Sequence, residues 1–366
     1  MRSVFLLCLL FIACCTALGQ NSTQPQRNYP APIEGDYVIQ NFHFRSGESL
    51  PELRIHYRTI GTLTRDASGV ANNAVLIGHG TGGAGTSLLS PTFANVLFGP
   101  GQLLDATKYF IILPDGIGHG KSSKPSDGLH AKFPHYTYDD MVGALYEVLT
   151  KKLGVNHLRL VMGTSMGGMQ TWVWGETYPD FMDALMPLAS NPVEIAGRNR
   201  IWRRMAMDAI RDDPDWQGGD YKTQPMRALV SAENLLLIAG SAPLFWQKQA
   251  PTRDAADKFY ADRLKAAVTR LDANDLLYQI DSSREYNPEP KLETIKAPLI
   301  AVNSADDFIN PPELGMIERE IKRVKRGRFV MLPITDQTRG HGTHTIAAIW
   351  QRYLKALLEE SKNPEQ

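Results

Sequence analysis

Cysteine is nearly missing from this sequence, and where it occurs it is confined to one end. The three cysteines of the 366-residue chain are Cys8, Cys14 and Cys15. Once that end is removed, no thiol remains, which excludes cysteine nucleophiles and cysteine-based metal sites. A domain of this size buries enough surface to be stable without a disulfide. Net charge is missing too: 39 basic and 39 acidic side chains cancel. No global field therefore favours nucleic acid or an acidic membrane surface. The one basic run, "IKRVKRGR" (residues 321–328), follows the acidic "ELGMIERE". That order predicts a surface helix with charges matched to its dipole. Hydrophobic residues at 43% and charged residues at 21% fit an ordinary globular protein.

The N-terminus "MRSVFLLCLLFIACCTALG" has a positive start, a short apolar run and small residues near Gly19. It reads as a secretory signal peptide over residues 1–19, too short for a stable membrane span. Secreted or periplasmic placement follows as an expectation. The segment "FIAC", ending at Cys14, loosely resembles a lipobox. A lipoprotein anchor at that cysteine is the second alternative, since Phe stands where Leu is usual.

Apolar runs recur along the rest of the chain with helical patterns between them. "NAVLIGHG", "YFIILPDG", "LRLVMGTS", "DALMPLAS", "APLIAVNSADD" and "RFVMLPIT" each read as a buried strand ending in turn residues. Runs without polar alternation suit a parallel sheet covered on both faces. "TYDDMVGALYEVLTKKLG" predicts a helix with Thr137 as N-cap and Gly154 as stop. The C-terminal "THTIAAIWQRYLKALLEE" repeats apolar positions at helical spacing. The alternation argues for a doubly wound α/β sheet. "YVIQNFHF" and "PELRIHYRTIG" alternate apolar and polar residues, as antiparallel edge strands would. Residues 191–295 break the pattern, with helix-like segments and no convincing strand. A structureless loop that long is improbable in a compact domain, so a helical insertion is expected, placed to act as a lid. The expected division is thus a core from 20–190 and 296–366 around that insertion.

"VMGTSMGGMQ" carries the pattern G-x-S-x-G around Ser165. It fits a strand turning sharply into a helix with the serine exposed at the tip. A serine hydroxyl is a poor nucleophile at neutral pH and needs a base, which in turn needs a carboxylate to orient it. In such a fold the order is serine, acid, histidine. "VNSADDFINPPE" ends one late strand and offers Asp306 and Asp307. Asp307 is preferred because it precedes "FINPP", an acid-x-x-x-Pro turn. "TDQTRGHGTHT" follows the last strand and offers His341, between glycines, and His344. His341 is preferred; a first-turn position would point His344 away. Read as a metal pair, these two histidines find no third ligand. Developing negative charge needs fixed donors. The N–H of Met166 opens the helix after the serine, and "HGTGGAG" (residues 79–85) offers a second, with Thr81 the choice. That glycine loop lacks the Lys-Ser/Thr ending of a phosphate-binding loop, so no cofactor is expected.

At these residues the chain resembles the homoserine O-acetyltransferase family of α/β-hydrolase-fold proteins. The likeness runs from about His56 to Leu354 through "HYRTIGTL", "GPGQLLDATKYFIILPDGIG", "GTSMGGMQ", "AIRDDPDWQGGDY", "RLDANDLLYQID" and "DDFINPPE". It implies Ser165 as nucleophile, His341 as base, Asp307 as acid, and Thr81 and Met166 as oxyanion donors. Departures touch specificity. Glu233 and Ser241 stand where the family has arginines, Gly342 where it has an aspartate, and "GHGKSSKPSDG" replaces a family loop. Those charges would hold an amino acid's carboxylate and amine, so weak selection of homoserine is expected.

The leading expectation is a secreted serine hydrolase cleaving a carboxylic ester. The alternatives are an O-acyltransferase using acetyl-CoA, and a non-catalytic binding protein on the same fold. The expected partner is a small ester or acyl donor, and oligomeric state stays open, a homodimer included. Trp172, Trp174, Phe245 and Trp246 read as core rather than as an acyl pocket.

Overall fold

The computed structural model describes residues 26–362; the leader expected at 1–19, with Cys14, lies outside that range. Eight strands form one sheet: β1 Ile33–His43, β2 Ser49–Ile60, β3 Ala74–Gly78, β4 Phe110–Pro114, β5 Leu160–Thr164, β6 Leu185–Leu188, β7 Leu299–Ser304 and β8 Gly327–Leu332. Their spatial order is β1-β2-β4-β3-β5-β6-β7-β8. β1 and β2 form the antiparallel edge, and every pairing from β4 to β8 is parallel.

Burial explains the two strand types. β1 alternates from Glu34 to Gln40 because one of its faces meets water. Every residue of β5, β6 and β7 is buried, since helices cover both faces there. One face packs Met141, Leu145, Trp172, Trp174 and Leu185 together. The other packs Leu97, Leu104, Met186, Trp350 and Leu354. Trp172 and Trp174 are therefore core, as expected.

The helix Tyr138–Glu147 begins at Thr137, whose hydroxyl and Asp140 carboxylate form a reciprocal capping box. The predicted Gly154 stop has φ +67°, and a turn of π-helix, Val148–Lys152, precedes it. The basic run departs from expectation. Its helix spans only Met316–Glu320 with a 3-10 turn Ile321–Arg323, because β8 already begins at Gly327. Buried Glu320 is met by Arg319 at 2.7 Å and Arg323 at 3.1 Å.

Between β6 and β7 lie the helices Gly197–Arg211, Met226–Ala239, Pro243–Gln249, Arg253–Val268 and Ala273–Asp281. The helices Gly197–Arg211, Met226–Ala239 and Ala273–Asp281 share a small core of their own, including Met207, Ile210, Leu229, Leu277 and Ile280. Among the described residues no single helix is long and apolar enough to cross a membrane.

Candidate active site

The site is built where β5 turns into the helix Met166–Thr177. Ser165 sits at that turn with φ 55° and ψ −111°, a conformation L-residues rarely adopt. Three glycines make the turn sterically feasible. A Cβ at Gly163 would lie 2.2 Å from the Gly167 carbonyl, and one at Gly167 would lie 2.3 Å from the Gly78 oxygen. Helix and strands touch backbone to backbone, which forces the serine outward. Hydrogen bonds lock it: Ser165 N–H donates to Leu188 O and Gly167 N–H to His79 O, both at 2.9 Å.

The loops after β7 and β8 bring the other two groups. Ser165 Oγ and His341 Nε2 are 2.8 Å apart, and His341 Nδ1 is 2.8 Å from Asp307 Oδ2. The three side chains chosen from sequence are thus one continuous hydrogen-bonded chain. Asp307 is buried and accepts from Ile309 N–H at 2.8 Å, Asn310 N–H at 3.2 Å and the Asn310 amide at 3.0 Å. Burial alone pushes its carboxyl up, but His341 and the Asn310 and Ile309 donors outweigh that and hold it below the usual range. Asn310 also donates to Ala189 O at 3.0 Å, anchoring the acid loop to the end of β6.

Asp306 has other work: it accepts the Ser304 hydroxyl at 2.5 Å and the Gly340 N–H at 2.9 Å. His344 departs from expectation. Gly342–Thr345 forms a 3-10 turn and the long helix starts only at Ala347, so His344 folds inward rather than away. Its ring packs edge-on against His341 with centroids 5.2 Å apart. Burial, then the adjacent His341, push its imidazole down to about 3.

The backbone N–H groups of Thr81 and Met166 meet no protein acceptor among the described residues. Thr81, Ser165 and His341 open onto a cavity of about 460 Å³. Trp202, Arg203, Glu233, Leu236 and Arg270 line it from the helical stretch between β6 and β7. Of these, sequence reasoning named only Glu233. Arg203, in a helix with four other arginines, carries no distinguishing signal in the sequence. Asn310 was within reach, lying inside the "DDFINPP" turn that singled out Asp307. Phe245 instead lies under Arg339, and Trp246 packs against Phe259. The substituted "GHGKSSKPSDG" loop faces a different, polar cavity with Lys121 and Asp127 on its wall.

A largely parallel sheet with an elbow serine at the end of a central strand defines an α/β-hydrolase-fold enzyme. Residues 73–326 match the alpha/beta hydrolase fold family. The chain is 31% identical over 282 residues to a probable acyltransferase of Methanothermobacter thermautotrophicus, covering 77% of this chain and 85% of that one. It is 30% identical over 370 residues to a homoserine O-acetyltransferase of Moorella thermoacetica, covering 87% and 94%. An acetylester hydrolase from Corynebacterium glutamicum has the same fold, with TM-score 0.78 at 22% identity over 90% of this chain and 96% of that one. The protein belongs to the homoserine O-acetyltransferase-like family of the α/β-hydrolase fold.

Proposed function

We propose that this enzyme hydrolyses a carboxylic ester through an acyl-enzyme on Ser165. The observation that carries the reading is the unbroken chain from Ser165 Oγ through His341 to Asp307, opening onto the cavity beneath the inserted helices. His341 Nε2 takes the hydroxyl proton as Oγ attacks the ester carbonyl carbon. The carbonyl oxygen becomes an oxyanion and is met by the N–H groups of Met166 and Thr81, which have no competing partner. Collapse breaks the carbon–oxygen bond to the alcohol, which leaves with the proton from His341. Water then attacks the acyl-enzyme, giving its proton to His341, and the acid is released with Ser165 restored. Asp307 stays ionised throughout and holds the Nδ1–H tautomer.

Acyl transfer to an alcohol is the second reading, favoured by the acyltransferases among the relatives. Hydrolysis is preferred because the expected amino-acid ligands are gone. Glu233 stands on the cavity wall where the family has an arginine, and the Ser241 hydroxyl is spent on Ile238 O at 2.7 Å. The inserted helices act as the lid, and how well they exclude water decides between the two outcomes. The leader-like N-terminal sequence supports export from the cytosol, away from acetyl-CoA.

Two experiments test this. A fluorophosphonate should label the wild type and leave Ser165→Ala unlabelled; equal labelling removes Ser165 from the mechanism. Short acyl esters should be hydrolysed faster than acetyl-CoA acylates a panel of alcohols. Rapid transfer with no hydrolysis reverses the ranking.

A further inference from the structure

The wall of the Ser165 cavity carries a buried cation that no acid neutralises. Arg203, on the helix Gly197–Arg211, is only 3% exposed. Its Nε donates to Asn199 Oδ1 at 2.9 Å and its Nη1 to the Ser283 hydroxyl at 3.0 Å. Both acceptors are neutral, and Nη2 has no protein partner among the described residues. No carboxylate there pairs with it either. The charged neighbour that acts on it is another cation, Arg200. Glu233 shares the cavity, but its electrostatic partners are Arg263 and Arg270. A buried guanidinium without a counterion is costly, and proteins rarely keep one without use.

Two hydroxyls near it share the defect. Thr81 Oγ1 and the Tyr138 hydroxyl are both buried without a hydrogen-bond partner. The Tyr138 hydroxyl lies beside Thr81, Ser283 and Arg203 yet makes no well-formed bond to them. Burial pushes this phenol up, so it stays a neutral donor. Thr81 and Arg203 thus place donors short of an acceptor on the wall that adjoins the nucleophile, with Tyr138 beside both in the core. What is missing is an anionic acceptor.

We propose that the Ser165 cavity takes an ester that also bears a carboxylate, bound by the Arg203 guanidinium with the Thr81 hydroxyl as a further donor. The proposal rests on the acyl-enzyme reading and narrows its substrate class. A guanidinium suits a carboxylate better than an ammonium does, because its planar N–H groups are fixed in direction.

The test compares kcat/KM for charged and neutral ester pairs with the full chain. One pair puts the anion on the acyl side, p-nitrophenyl hemisuccinate against its methyl ester. The other puts it on the alcohol side, 3-acetoxybutyrate against its amide. The anion should be preferred in one pair by about 10- to 100-fold, the range for a charge-assisted hydrogen bond. Arg203→Gln should collapse that preference, and Arg203→Lys should restore part of it. No preference in either pair, or one that survives Arg203→Gln, overturns the proposal.

Should Arg203→Gln not fold, the wild type still decides. Succinate should slow fluorophosphonate labelling of Ser165 and 1,4-butanediol should not; equal effects overturn the proposal. Labelling and neutral-ester hydrolysis without any anion preference sink the substrate class alone. Loss of both sinks the acyl-enzyme reading, and the proposal with it.

Discussion

Asp306 and Gly340 are joined by one hydrogen bond, Oδ2 accepting the glycine N–H at 2.9 Å, one residue before His341. Two adjacent acids thereby divide the work: Asp307 holds the imidazole and Asp306 holds the loop that carries it. Asp307→Asn should lower kcat by about 10³- to 10⁴-fold, since an amide favours the wrong tautomer. Asp306→Ala removes a loop hydrogen bond worth about 1 kcal/mol, for roughly a 3- to 10-fold loss. Steady-state kinetics on a short ester check both, and the reverse order would exchange their roles.

Asn310 ties Asp307 to the end of β6 through Ala189. Asn310→Ala removes a donor that favours ionised Asp307 and leaves the Ala189 carbonyl short of a partner. Stability should fall by about 1–3 kcal/mol. The Asp307 carboxyl should titrate at higher pH, followed through its own carboxyl carbon by NMR. An unchanged titration would show that the amide only braces the loop.

The elbow tolerates no methyl group. A Cβ at Gly163 would meet the Gly167 carbonyl at 2.2 Å. Gly163→Ala should therefore cost about 1–3 kcal/mol or more, visible as a Tm drop of several degrees. Gly143 is the contrast: it lies within the helix Tyr138–Glu147 with nothing within 4 Å of a built Cβ. Gly143→Ala should gain about 0.5–1 kcal/mol from propensity. Calorimetry of both variants measures the difference.

His119 and His344 make stability fall in acid. Burial comes first in each, followed by His79 for one and His341 for the other, and both imidazoles are pushed down to about 3. Unfolded, each would titrate near 6.5. Below that pH the unfolded chain binds protons that the folded chain refuses, so stability drops as pH falls from 6.5 toward 3. Asp307, held below the usual carboxylate range, adds a loss in the same direction at lower pH. Urea midpoints should decline steadily from pH 7 to pH 4, and His119→Gln should flatten that slope by about one proton. An unaltered slope would remove His119 as a cause.

Much of the scaffold was legible because its signals are local. Unbroken apolar runs marked the parallel strands, alternation marked β1 and β2, and the capping residue Thr137 marked its helix. The meeting of Ser165, His341 and Asp307 was legible because strand-end motifs in fixed order bring those side chains together. What the sequence hid depends on how distant segments meet. "THTIAA" continues a helical pattern, and only the 3-10 turn after His341 reveals that His344 turns inward. The helices Pro243–Gln249 and Ala273–Asp281 are short, and an apolar period over so few residues is weak. Arg203 looked like one more arginine in an arginine-rich segment, since burial without a counterion is a property of the assembled cavity.

The inserted helices leave the sheet after β6 and rejoin it at β7, and those two strands are neighbours. A detour with adjacent ends is an exchangeable cassette. Residues 197–281 can therefore be exchanged as one contiguous piece while the strand ends that carry Ser165, Asp307 and His341 keep their places.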